Sequence, residues 1–150
     1  MEIQITGLEQ VQKRLEETPS LLVAKVFDKA LDRAIGVLAA EVESRTPEGE
    51  EGLLKESVIT AVKLDVQQKS GSAAVGFNHV QSDRTGAPQD LIAMWVEFGH
   101  RQVTHKPGKQ ETGHVPAHPF MRPSLEAAGD RAILVFENNL IDGLSVIEQS

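Results

Sequence analysis

The chain contains no cysteine and no tyrosine, and only one Trp and five Phe among its 150 residues. The missing thiol removes disulfides, thiolate nucleophiles and cysteine-ligated zinc, and nothing asks for an oxidising compartment. So few rings offer no stacking platform for single-stranded nucleic acid. Apolar runs fall far short of the roughly 20 residues that cross a bilayer, so no membrane association is expected. The opening Met1-Glu2-Ile3-Gln4-Ile5-Thr6 lacks the basic and apolar regions of a signal peptide, and none is expected. Positive charge is also in deficit, with 15 Lys and Arg against 22 Asp and Glu and a formal net charge of −7. A duplex-binding protein usually presents a concentrated basic face, which this balance opposes. An acidic surface would instead repel phosphate and let DNA pass without sticking.

What is present is enough for one domain. A chain of this length buries roughly 70% of its unfolded surface and needs no staples, and residues 1–150 read as a single unit. Thr6-Gly7-Leu8-Glu9 has the pattern of a capping box and opens a short N-terminal helix striped by Leu8, Val11 and Leu15. Thr18-Pro19 restarts the chain as a second helix running to about Ser44. Val23, Phe27, Leu31, Ala34, Leu38 and Val42 recur at three- and four-residue spacing and form its buried face. Leu22, Val26, Ile35 and Val37 widen that stripe, so this helix is expected to meet a sheet on one side and another element on the other.

From Ser57 the period becomes two. Val58, Thr60, Val62, Leu64 and Val66 alternate with Ile59, Ala61, Lys63, Asp65 and Gln67, which predicts a half-buried strand. Lys69-Ser70-Gly71-Ser72 is a turn, and Ala73 to Asn78 is the returning strand. Residues Gln81 to Gln89 read as loop, and Leu91, Met94, Trp95 and Phe98 fit helical spacing in a segment too short to decide. The stretch from Gly99 to Gly113 is polar and long enough for an exposed or disordered loop. A last helix is predicted from Pro123 to about Asp142, stopped by Gly143, with Leu125, Ala128, Ala132, Phe136 and Leu140 inward. The sum is an α+β domain: a small hairpin-based antiparallel sheet on a long amphipathic helix, with a short N-terminal and a C-terminal helix.

Three segments, in order, carry a resemblance. The long helix runs into Thr46-Pro47, then Gly49 or Gly52, Leu53 and Ser57. Ala93-Met94-Trp95-Val96-Glu97-Phe98-Gly99 follows, and then Pro116-Ala117-His118-Pro119-Phe120-Met121-Arg122-Pro123-Ser124-Leu125. Together with Ile5-Thr6-Gly7-Leu8 they resemble the phage family named after the gene-10 product of phage HK97, with its "vEfGt" and "PFlrPal" boxes. His100 stands where that family often carries Thr, and the loop from Gly99 to Pro116 is long and holds three histidines. The resemblance implies a structural virion protein, a ring subunit of the head–tail connection that completes or terminates the tail. It implies a homo-oligomeric ring, sixfold, in contact with neck, connector and tail tube proteins. DNA would only pass through the lumen, and neither catalysis nor a cofactor is implied.

On that resemblance the candidate interface residues are Glu97, Phe98, Gly99, His100, Arg101, His105, His114, Phe120 and Arg122. The residues also admit plainer readings. Trp95 and Phe98 can be core, with Glu97 solvated and Gly99 a turn. Phe120 can be a core anchor or a side chain inserted into a neighbour, and Arg122 can pair with Glu126 across one helical turn. The basic loop holding His100, Arg101, His105, Lys106, Lys109 and His114 can be a partner contact or a solvated tip.

The residues are also compatible with two other functions. One is a monomeric adaptor with a single binding patch. The other is a histidine-dependent metal protein using Glu97, His100, His105, His114 and His118, although their spacing matches no zincin or di-iron pattern. No P-loop, dinucleotide fingerprint or Gly-x-Ser-x-Gly elbow is present.

Overall fold

The structure, a computed structural model, describes residues 20–48, 52–66, 70–82, 86–103 and 111–148. The order of elements is α1 (Ser20–Arg45), α2 (Leu53–Glu56), β1 (Val58–Asp65), β2 (Ser70–Phe77), α3 (Gln89–Phe98), β3 (His100–Val103), β4 (Glu111–Val115) and α4 (Met121–Glu148). This is the α+β class expected, with two small antiparallel sheets, β1–β2 and β3–β4. The predicted N-terminal helix and the Thr18-Pro19 start of α1 lie outside the described residues.

The wide apolar arc of α1 has the two-sided role its sequence requires, packing on β1 and β2 and also on α4. Ala30, Ala34, Ile35 and Val42 are buried, and Val23, Phe27, Leu31 and Leu38 are half-buried. The helix ends where Pro47 forbids continuation. Thr46 donates both its N–H and its hydroxyl to the Val42 carbonyl, at 2.8 and 2.7 Å, which satisfies an orphaned acceptor of the last turn.

The core divides into two clusters along α1. One gathers Val42, Leu54, Ala93 and Phe120, with Val58, Val75, Phe77, Ile92, Val96 and Met121 around them. The other joins Ala30 to Leu140 and Leu144, flanked by Val26, Phe27 and Phe136. Edge-to-face ring pairs stiffen both, Phe77 on Phe120 at 5.7 Å and Phe27 on Phe136 at 5.2 Å.

In the hairpin, Val58 pairs with Phe77, Thr60 with Val75, Val62 with Ala73 and Leu64 with Gly71. These residues share one face by the two-residue period. Gly71 is dictated by that packing, because a Cβ there would lie 2.8 Å from Leu31 Cδ1 and 3.0 Å from Phe27 Cε1. Val66 falls beyond the strand and is exposed rather than inward.

Three expectations about the last third are corrected. The polar stretch after Gly99 contains the β3–β4 ribbon, with a register irregularity between Gln102 and Val103, rather than being loop throughout. The last helix begins before Pro123 and runs through Gly143 instead of stopping there. Gly143 serves interhelical contact, because a Cβ would collide with Val26 on α1. The inward row of α4 advances by fours through Ser124, Ala128, Leu140 and Leu144, which leaves Leu125, expected inside, 58% exposed.

Candidate functional site at the junction of α3 and α4

The segment Met94-Trp95-Val96-Glu97-Phe98 lies in α3, and Pro119-Phe120-Met121-Arg122 leads into α4. They meet through Glu97. Its carboxylate accepts backbone N–H groups from Phe120 at 2.7 Å, Met121 at 2.9 Å and Arg122 at 3.3 Å. The first N–H groups of a helix have no partner within it, so Glu97 caps α4 from a different helix and places its negative charge at the positive end of the dipole. In return the N–H of His118 donates to the Val96 carbonyl at 2.7 Å, satisfying an acceptor near the C-terminus of α3.

Glu97 is 9% exposed, a strong demand on a carboxylate. Burial pushes its carboxyl group up. The three backbone donors, helped by the charge of Arg122, outweigh that and hold it below the ordinary glutamate value. The reading in which Glu97 is solvated and Phe98 is core is therefore inverted: Phe98 stands 74% exposed. Trp95 is half-buried and stacks at 5.3 Å against His100.

Phe120 is the best-buried large side chain of the junction, at 1% exposure, in keeping with its reading as a core anchor. Ser124, fully buried, donates to the Phe120 carbonyl at 2.6 Å and lies 3.4 Å from the Glu41 carbonyl of α1. Arg122 is exposed and contributes its backbone N–H to Glu97; among the described residues it forms no ion pair with Glu126.

Gly99 separates α3 from β3 at φ +73° and ψ 167°, a region that side chains avoid. A Cβ there would sit 2.7 Å from the Val115 carbonyl oxygen and 2.8 Å from the Ala117 nitrogen. The glycine therefore lets the ribbon and the approach to α4 close tightly on the end of α3. On the ribbon, His100 faces Val115 and Arg101 faces His114, the latter pair both exposed. His105 lies outside the described residues.

The possible metal set does not assemble among the described residues. Glu97 is occupied by backbone donors, His100 lies on Trp95, and His114 and His118 are exposed. No group of three or more His, Asp or Glu side chains gathers there in a way that could hold a metal ion. No described helix is long and apolar enough to cross a membrane. Comparison of the chain with protein-family models, curated proteins and solved structures finds no match.

The sequence alone could not have signalled the role of Glu97. A glutamate in the last turn of a short apolar helix reads as solvated, and its partners lie more than 20 residues away. The available clue was Pro123 just after the turn, which marks a helix start in need of an acceptor.

Proposed function

We propose that the chain is a structural subunit of a tailed-phage virion, assembling into a ring at the head–tail connection that completes or terminates the tail. The observation that carries the reading is the junction itself. The two boxes on which the resemblance most depends, around Glu97 and around Phe120, form one interlocked unit that leaves Phe98 projecting outward. A solvated phenylalanine beside a charged ribbon suits a contact residue better than a residue of a lone monomer.

Other large apolar side chains are exposed on separate elements: Ile59 on β1, Met94 on α3, Leu134 and Ile141 on α4. A ring requires head-to-tail contacts between two different patches of the same subunit, and exposed apolar positions on separate elements are compatible with that arrangement. The net charge of −7 suits a lumen through which DNA passes without being gripped. Its work would be self-association and stacking on neck and tail tube proteins, and its place the virion.

Sedimentation and negative-stain imaging of the purified chain, alone and with tails that lack a cap, test the reading. Closed rings or capped tail ends, lost on Phe98→Asp, are expected. A stable monomer that leaves tails unchanged would refute it.

A further inference from the structure

The β1–β2 hairpin ends as a two-stranded sheet, and no described strand lies against either outer edge. Long unprotected edges usually recruit another strand, and proteins that avoid this interrupt them with charge, proline or a bulge. β2 has none of these devices. Its sequence, Ser-Gly-Ser-Ala-Ala-Val-Gly-Phe, carries no charge and no proline. Its pairing with β1 proceeds from Val58↔Phe77 to Asp65↔Ser70 without a shift.

The outward backbone groups can be assigned from the ladder. Asn78 donates to the Ser57 carbonyl at 2.9 Å, so that pair is hydrogen-bonded, and bonded and non-bonded pairs alternate from there. Thr60, Val62 and Leu64 on β1, and Gly71, Ala73 and Val75 on β2, consequently direct their N–H and C=O groups away from the hairpin. Among the described residues, no backbone hydrogen bond from another element reaches Gly71, Ala73 or Val75.

We propose that copies of this chain join edge to edge, the free edge of β2 in one copy pairing with the free edge of β1 in the next. The proposal rests on the ring reading and adds a backbone contact between copies to the side-chain contact at Phe98. A second copy is the fitting occupant because the chain carries both required edges, of equal length. Rotation about an axis along which the strands run preserves strand direction. β2 therefore meets the next β1 antiparallel, as it does inside the hairpin, and the ladder can continue around the ring. Pairing of β2 with β2 would instead close a two-fold dimer. The uncharged β2 edge opposes no charge to Lys63 or Asp65 of its neighbour.

The absence of cysteine makes the test clean. Ala61 and Ala74 are exposed on the outer face of the hairpin, one on each strand. Copies carrying Ala61→Cys are mixed with copies carrying Ala74→Cys and oxidised to form disulfides, which need Cα atoms within about 7 Å and so join adjacent strands but not strands two spacings apart. Cross-linked pairs are expected in the mixture and not in either population alone. Ala73→Pro, which removes an outward N–H, is expected to keep its helical circular dichroism yet sediment as a monomer where the unmodified chain forms rings. Rings that give no mixed cross-link, or cross-links within the Ala74→Cys population alone, overturn the edge contact and leave the ring reading standing. An unmodified chain that stays monomeric throughout overturns both.

Discussion

Replacing Glu97 with alanine tests the junction most directly, because a single side chain satisfies three N–H groups at the start of α4. Removing a capping acceptor costs about 1–2 kcal/mol. Removing negative charge from a partly buried helix N-terminus costs up to about 2 kcal/mol. The Phe120 N–H, attached to a residue 1% exposed, then loses its partner where water reaches poorly, for about 1 kcal/mol or more. These contributions overlap, and the expected total is about 3–4 kcal/mol, a large share of the ~5–15 kcal/mol that stabilises a domain. At about 2–4 °C per kcal/mol the melting temperature should fall by about 10 °C. Glu97→Gln keeps an oxygen but not the charge and should lose about 1–2 kcal/mol.

The pH dependence adds an independent check. The folded carboxyl titrates below its unfolded value of about 4.3, so its contribution is complete above that pH and is lost as pH falls through the folded value. Urea denaturation at neutral and acidic pH reads both effects. The unmodified chain should lose more stability on acidification than Glu97→Gln does. A Glu97→Ala variant within about 0.5 kcal/mol of the unmodified chain, with the same acid dependence, would refute the capping role.

Other substitutions probe the neighbouring contacts. Gly99→Ala places a Cβ against the backbone of Val115 and Ala117 at positive φ, and should cost about 2–3 kcal/mol in thermal or chemical unfolding. Gly143→Ala should destabilise despite the helix preference for alanine, because overpacking against Val26 at about 1–3 kcal/mol exceeds a gain of about 1 kcal/mol. Phe98→Asp should leave the melting temperature nearly unchanged, within about 0.5 kcal/mol, because that side chain is already in water, while abolishing assembly.

Periodicity made most of the fold legible. Repeats at three and four positions reveal α1, and alternation reveals the β1–β2 hairpin, because each element buries a face of constant composition. The β3–β4 ribbon follows no such rule. Arg101, Gln102, Thr112, Gly113 and His114 are exposed in succession, and among the described side chains of the ribbon the half-buried ones are His100 and Val115, paired at one end, so no alternation marks a period. Gly143 misled for a related reason: the local preference for glycine at helix ends was overridden by the closeness of Val26, which only the packed pair of helices defines.

The inversion at Glu97 and Phe98 has a deeper cause. Hydropathy assigns the ring inward and the carboxylate outward, treating each side chain as though it met an average solvent or an average core. The environment here is the start of another helix, whose unpaired N–H groups and dipole turn a buried site into one that favours negative charge. With Glu97 held inward, its neighbour one residue on is turned about 100° around the helix axis. Phe98 reaches solvent while Ala93 and Val96 keep the apolar face. Exposure of the ring is thus linked to burial of the acid. The two substitutions should separate cleanly, with Phe98 governing association and Glu97 governing stability. If Glu97→Gln also weakens assembly, the loss should track the fraction unfolded and vanish where both chains remain fully folded. A loss that persists in the folded chain would mean that the junction itself takes part in the contact.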